Sequence, residues 1–125
     1  MEASPAVGVA EANERFYAAF AARDIAAMEE LWARDIEIAC THPGWLTLHG
    51  RLEVLDSWRA IMSNPAQARV VPGDVRVTLL GGTAIVHCRE FVAGSAIVAT
   101  NVFVLQDGEW RLVDHHGSPV AFVPG

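Results

Sequence analysis

The sequence contains little cysteine and no cysteine-rich motif. Its two cysteines, Cys40 and Cys88, are too few for the disulfide framework that holds small secreted domains together. Both lie within apolar runs, where a small buried thiol is ordinary. We therefore expect two reduced thiols in a chain that folds without disulfides.

Positive charge is also scarce. Nine Lys and Arg residues stand against 15 Asp and Glu residues, for a formal net charge of −6, and no three basic residues are adjacent. Such a chain has no cationic stripe that could contact successive phosphates. The composition therefore argues against nucleic acid as a partner.

Long apolar runs are missing as well. No segment approaches the roughly 18 consecutive apolar residues of a membrane span. The first residues, "MEASPAVGVAEANERF", lack the basic start and continuous apolar stretch of a signal peptide. We therefore expect no membrane association and a cytoplasmic location.

What the sequence does have is enough apolar material for one core. With 125 residues and 52% hydrophobic side chains, the chain is predicted to form a single domain over residues 1–125. No repeat, linker or low-complexity segment divides it. A metal or disulfide is not needed to stabilise a core of this size.

Three helices are predicted in the first half of the chain. The first begins at Ser4-Pro5, where a cap precedes a proline at the first helical position. Asp24 can cap the second, and the third runs from about Arg51 to Ser63 and stops at Asn64-Pro65. Apolar residues recur in all three at spacings of three and four, so each helix should bury one face.

Strands dominate the second half. Four runs rich in β-branched residues, "DVRVTLL", "TAIVHCREFV", "AIVATNVFVL" and "EWRLVDHHG", are separated by the turn pairs Gly81-Gly82, Gly94-Ser95 and Asp107-Gly108. Helices followed by an antiparallel meander predict an α+β fold, with a curved antiparallel sheet wrapped around three N-terminal helices.

The stretch "IACTHPGWLTLHG" follows the second helix and combines a thiol, two imidazoles and an indole. Cys40, His42 and His49 could in principle bind a metal, but structural zinc needs four ligands in paired short spacings, and Pro43-Gly44 already explains a turn. We predict no metal site here. The stretch is better interpreted as a strand end and a turn that closes a pocket.

Two strands carry residues that could do chemistry. In "DHHGS", Asp114 and His116 share one face and His115 points to the other, so neighbouring residues cannot form an acid–base pair. In "TAIVHCREF", the same alternation separates His87 and Arg89 from Glu90. Arg89 either reaches solvent at the rim or awaits an anion, because an unpaired buried guanidinium is costly.

Three segments together resemble the nuclear transport factor 2-like superfamily, in its SnoaL-like branch: "RFYAAFAARDIAAMEELWARDIEIACTHPG", "GRLEVLDSWRAI" and "DGEWRLVDHHGSP". The resemblance covers nearly the whole chain. It implies a cone-shaped, cystatin-like α+β fold with a pocket between helices and sheet. It says less about activity, because this fold hosts isomerases, cyclases, dehydratases and binding modules.

The resemblance also implies which positions face the pocket. The catalytic tyrosine and two aspartates of the related ketosteroid isomerases fall on Phe16, Cys40 and Asn101, none of which supplies that chemistry. Ketosteroid isomerisation is therefore not expected. Similarity to the association domain of calmodulin-dependent kinases implies a pocket arginine at Arg89 and an inward-facing His115.

Three hypotheses follow. The first is a small-molecule-binding domain without a cofactor, in which Arg89 and His115 meet an anionic or polar head. The second is a cofactor-independent isomerase, cyclase or dehydratase that uses His115 or His42 as general base. The third is a structural dimerisation module. The predicted ligand-binding residues are Phe16, Trp32, Cys40, His42, Trp45, Trp58, His87, Arg89, Asn101 and His115.

A homodimer is expected through the outer face of the sheet, because the strands carry apolar side chains on both faces. The predicted interface residues are Val86, Val92, Val98, Val102 and Trp110.

Overall fold

The computed structural model describes residues 5–121. The three helices are α1 (Pro5–Ala22), α2 (Ile25–Leu31) and α3 (Arg51–Ser63). The six strands are β1 (Ala39–Thr41), β2 (Leu48–His49), β3 (Val71–Leu80), β4 (Thr83–Val92), β5 (Ser95–Gln106) and β6 (Glu109–Pro119). The predicted cap at Ser4 lies outside the described residues.

The helices form where the sequence pattern places them. Asp24 caps α2 by accepting a hydrogen bond from the Ala27 N–H at 3.1 Å. The inner face of α1 buries Val9, Ala12 and Phe16 completely. The bounds predicted for α3 coincide with those observed. Together these helices cover one face of the sheet.

The sheet has the strand order β2-β1-β6-β5-β4-β3 and is mixed. The meander from β3 to β6 is antiparallel, as predicted, but β1 pairs in parallel with β6. The antiparallel meander is therefore confirmed, and the parallel pairing of β1 with β6, which was not predicted, makes the sheet mixed. Parallel neighbours need a long connection, and α3 with the first three strands of the meander supplies one between β1 and β6.

The inner and outer faces of β4 are the reverse of those predicted. Val86 is completely buried against the helices, and Val92 packs against the same core. Of the interface residues predicted for the outer face, only Val98 and Val102 remain there. The hairpin between β4 and β5 gives the reason, because Val86 pairs with the buried Asn101 and paired residues share a face.

A β-bulge in β6 changes the direction in which its side chains point. The register with β5 shifts between Phe103, which pairs with Leu112, and Val102, which pairs with Asp114. Val113 is the extra residue. Trp110 therefore faces inward, against expectation, while beyond the bulge His115 also faces inward, as expected.

Across residues 5–121, none of the helices combines the length and the hydropathy needed to cross a lipid bilayer.

Candidate functional site

A cavity of about 340 Å³ lies between α3, the turn after β1 and the inner face of the sheet. Its apolar and aromatic lining comes from Phe20, Trp45, Trp58, Val92 and Ile97. Its ionisable lining consists of His42, Glu90 and His115. An apolar pocket with a few converging polar groups is the usual form of a small-molecule site.

The turn that covers this cavity is held against β6. The Trp45 N–H donates to the His42 carbonyl oxygen at 2.9 Å and closes the turn. A Cβ atom at Gly117 would lie only 3.1 Å from Cγ of Pro43, so a side chain at this position would need the turn to move back slightly from the strand. Trp45, which is 48% exposed, lies at the mouth, as predicted.

Glu90 is a buried carboxylate held by a tyrosine. The Tyr17 hydroxyl on α1 donates to Glu90 Oε2 at 2.6 Å, and the glutamate is only 4% exposed. Burial raises the pKa of Glu90, and the hydrogen bond from Tyr17 partly offsets that effect. Burial also raises the pKa of Tyr17, which stays protonated and acts as a donor.

His115 is fixed by an amide on the neighbouring strand. Its Nδ1 lies 2.6 Å from Asn101 Oδ1, while the Asn101 amide nitrogen donates to Asn13 at 2.9 Å and to the Tyr17 hydroxyl at 3.1 Å. Since Oδ1 can only accept, His115 carries its proton on Nδ1 and leaves Nε2 as a free base.

The two ionisable groups face each other. His115 Nε2 lies 3.9 Å from Glu90 Oε2. Burial, with smaller effects of His42 and His116, lowers the pKa of His115 to about 3, so the imidazole is neutral near pH 7. A neutral base beside a carboxyl group with a raised pKa can hold and pass a proton within a dry site.

His42 forms a second, separate polar contact in the cavity. The Ser57 hydroxyl donates to the Val54 carbonyl oxygen at 2.6 Å and therefore accepts from His42 Nε2 at 2.8 Å. Burial lowers the pKa of His42 to about 4. His42 thus directs its protonated nitrogen at Ser57, and the centroids of the His42 and His115 rings are 6.4 Å apart.

Neither thiol has the character of a nucleophile. Both cysteines are free and buried. Burial, foremost, raises the pKa of Cys40 to about 12, and burial likewise raises the pKa of Cys88. Low pKa and exposure are the marks of a reactive cysteine, so these thiols are packing groups.

Four of the predicted ligand-binding residues line the cavity: His42, Trp45, Trp58 and His115. Phe16 and Asn101 lie directly behind them, since the Phe16 ring contacts both Trp58 and His115. Cys40 is buried beside His42, at 3.7 Å from its Nε2. Trp32 is fully buried and bridges Leu112, outside the cavity lining.

The predicted positions of Arg89 and His87 were wrong. Both are exposed on the outer face of the sheet, where Arg89 Nε lies 3.5 Å from Asp74 Oδ2. An arginine gains more hydration there than it would keep in the core. The part of the cavity wall that the structure describes contains no arginine, which removes the predicted anion anchor.

Sequence reasoning missed Glu90, Tyr17 and Asn13. One signal could have found the glutamate. The two-residue turn between β4 and β5 fixes which residues face each other across the hairpin. With that pairing, an inward Asn101 requires inward Val86, Cys88 and Glu90. Asn13 and Tyr17 are four residues apart on α1, the spacing that puts both on one helix face.

A larger, open groove of about 560 Å³ lies elsewhere, between α1, α2 and the β5–β6 turn. Alanines form much of its floor, and Arg111 at its edge is already paired with Glu30. Because the smaller cavity contains the buried acid–base groups, it is the better candidate site. Within residues 5–121, no three His, Cys, Asp or Glu side chains are grouped so that they could hold a metal ion.

Comparison with known proteins agrees with this architecture. The sequence pattern of the SnoaL-like domain matches residues 9–122. A solved structure of a candidate dehydratase of the NTF2-like family from Streptomyces avermitilis is 36% identical, with a TM-score of 0.86 over 94% of this chain and 96% of that one. The predicted nuclear transport factor 2-like α+β fold is confirmed.

Two further relatives differ in their described roles. A candidate calcium/calmodulin-dependent protein kinase type II association domain from Thiobacillus denitrificans is 36% identical, with a TM-score of 0.80 over 87% of this chain and 92% of that one. The F-box protein SKIP8 of Arabidopsis thaliana is 29% identical over 108 residues, which cover 85% of this chain. The chain matches 47% of the length of that plant protein.

Proposed function

This chain belongs to the family of SnoaL-like domains, and on that premise we propose that it binds a small organic molecule in the cavity between α3 and the sheet. The ligand would have an apolar, ring-sized body between Trp58, Phe20 and Ile97. Its polar group would lie beside Glu90 and His115.

One observation carries this proposal. The cavity of about 340 Å³ has three buried ionisable groups in its wall, His42, Glu90 and His115. Buried charges and imidazoles are costly to maintain, and protein cores of this size form without them. Their presence at the wall of a cavity is therefore best explained by a ligand.

The test is to fill the cavity. Ile97 lines it, and Ile97→Trp should remove stabilisation by any ligand found in a thermal-shift screen of cyclic alcohols, ketones, amines and acids. Leu80→Trp is the matched control, because Leu80 is 57% exposed and away from the cavity. If both variants respond to ligands as the wild type does, the cavity is not the site.

Catalysis is the second candidate function, supported by the geometry of Glu90 and His115. A fixed tautomer with a free Nε2, 3.9 Å from a carboxyl oxygen, suits cofactor-independent proton transfer, as in an isomerisation or a dehydration. The similarity to a candidate dehydratase supports the same reaction class. Of the two histidines predicted as base, His115 fits better, since His42 Nε2 is engaged by Ser57.

Proton transfer can be measured directly. The wild type should accelerate hydrogen–deuterium exchange at carbon next to the carbonyl of cyclic ketones, followed by NMR. We expect His115→Gln and Glu90→Gln to lower that rate by about 10²-fold or more, whereas His116→Gln, on the outer face, keeps it. If the wild type shows no exchange activity, catalysis is excluded and only the binding function remains.

A further inference from the structure

We infer that the ligand of this cavity is an organic ammonium ion, a protonated or quaternary amine on an apolar body of ring size. This inference rests on the proposed binding function and specifies the charge of the ligand. It reverses the anion expected from the sequence.

The first argument is the unbalanced carboxylate. Within residues 5–121, Glu90 Oε2 accepts a hydrogen bond from the neutral Tyr17 hydroxyl and lies 3.9 Å from His115 Nε2, and neither of these neighbours is a permanent cation. Among residues 5–121, no arginine side chain lines the cavity. The neighbouring Arg89 points to the opposite face and pairs with Asp74. A buried carboxylate normally has a cationic partner, and here the cavity is the place from which one could come.

The neighbouring imidazoles do not fill that role. Protonated His115 would pair with Glu90, but burial keeps this imidazole neutral near pH 7. His42 donates to Ser57 instead. The described wall of the cavity therefore holds one potential negative charge and no permanent positive charge.

The second argument is the aromatic lining. Phe20, Trp45 and Trp58 line the cavity together with Glu90. The ring centroids of Phe20 and Trp58 are 5.1 Å apart, and those of His42 and Trp45 are 4.8 Å apart. Indole and phenyl faces attract cations, and a carboxylate among aromatic rings is a general solution for binding ammonium groups.

The experiment uses three probes of similar size and different charge: 2-phenylethylamine, 2-phenylethanol and 3-phenylpropionate. Isothermal titration at pH 7 should give the amine a dissociation constant at least tenfold below that of the alcohol, with the carboxylate weakest. Phenyltrimethylammonium should bind more tightly than the alcohol as well, because the aromatic faces do not need an N–H group.

The second part of the experiment removes the charge of Glu90. Glu90→Gln keeps an acceptor for Tyr17 and should abolish the preference for the amine over the alcohol. Glu109→Gln removes the same charge from an exposed position at the start of β6, outside this cavity, and should leave the preference unchanged.

The outcomes separate this inference from the proposed function. Equal or tighter binding of the alcohol or the carboxylate by the wild type would overturn the ammonium ligand and keep a small-molecule site. A preference for amines that survives in Glu90→Gln would also overturn it. Failure of all four probes to bind would count against the site itself and the inference together.

Discussion

His115 and Glu90 lie on different strands, and one neighbouring side chain fixes the hydrogen bonding of each. Asn101 fixes the imidazole tautomer, and Tyr17 supplies the hydrogen bond that the carboxylate needs. Asn101 also donates to the Tyr17 hydroxyl, so one amide positions both groups. A network of this kind is rigid because each member satisfies the next.

The buried histidines make stability depend on pH. The pKa of His115 is lowered to about 3 and that of His42 to about 4, below the usual value of roughly 6.5 in an unfolded chain. Between these values the unfolded state binds more protons, so the free energy of unfolding should fall as the pH drops from about 6.5 towards 4. Each histidine contributes on the order of 1 kcal/mol per pH unit.

Urea denaturation at a series of pH values checks this. His115→Gln should reduce the fall in the free energy of unfolding at acid pH. His116→Gln, which changes the exposed neighbour, should not. The raised pKa of Glu90 acts in the opposite direction, because the folded state then holds its proton to higher pH. If the free energy of unfolding of His115→Gln falls at acid pH as steeply as that of the wild type, the lowered pKa of His115 is contradicted.

At the scale of the elements, two arginines tie helix ends to the rest of the fold. Arg51, at the start of α3, donates to the carbonyl oxygens of Glu29, Trp32 and Ala33 at 2.9–3.2 Å. Arg23 donates to the carbonyl oxygens of Met62, in the last turn of α3, and of Asn64 and Gln67, which follow it. Cations at these carbonyl-rich ends satisfy groups that the helices leave unpaired.

Loss of the Arg51 contacts should therefore be costly. Arg51→Met keeps the apolar stem but leaves three carbonyl oxygens without their charged donor, so we expect the free energy of unfolding to fall by about 2 kcal/mol. Arg34→Met, which removes one exposed ion pair with Glu30, should cost less than about 1 kcal/mol. Chemical denaturation of both variants gives the comparison, and equal losses would refute the special role of Arg51.

At the scale of the whole molecule, the outer sheet face exposes large apolar side chains beside its polar ones. Phe91 is 45% exposed and Val98 is 49% exposed, with Val102 beside them. We predict a homodimer through this face, since exposed apolar patches of this kind mark association sites.

The dimer can be tested with a single charge. Val98→Arg should convert a dimer into a monomer in light scattering at micromolar concentration, because an unpaired guanidinium would be buried at the contact. Leu80→Arg places the same side chain at an exposed turn end and should leave the mass unchanged. A monomeric wild type would exclude the interface.

The fold should need no metal. In the described part of the chain Cys40 and His42 lie near each other without a group of three metal-binding side chains, and the core is extensive. Elemental analysis of protein purified without chelator should give no stoichiometric metal, and EDTA should not shift the thermal unfolding curve. Zinc bound in a 1:1 ratio at Cys40 would contradict this.

The sequence by itself determined the three helices and the four strands of the meander, but not the short strand β2. Helix caps, apolar spacing and two-residue turns are local signals, so α3 and β4 were predicted with the bounds that the structure has. The inward position of His115 was also predicted, but through a family resemblance. Simple alternation from Trp110 and Leu112 would have turned Asp114 inward, and only the bulge at Val113 resolves this conflict.

The tertiary structure decided which face of β4 meets the helices, and with it the charge of the cavity. Along "TAIVHCREFV" both faces mix apolar and polar side chains, so alternation alone gives no direction. Glu90 can face inward because Tyr17, 73 positions away in the sequence, supplies a hydrogen bond. Arg89 faces solvent for the complementary reason, since no inward partner exists for it in the described chain. The partner that makes burial of a charge tolerable comes from another element, and a strand's own sequence does not contain it.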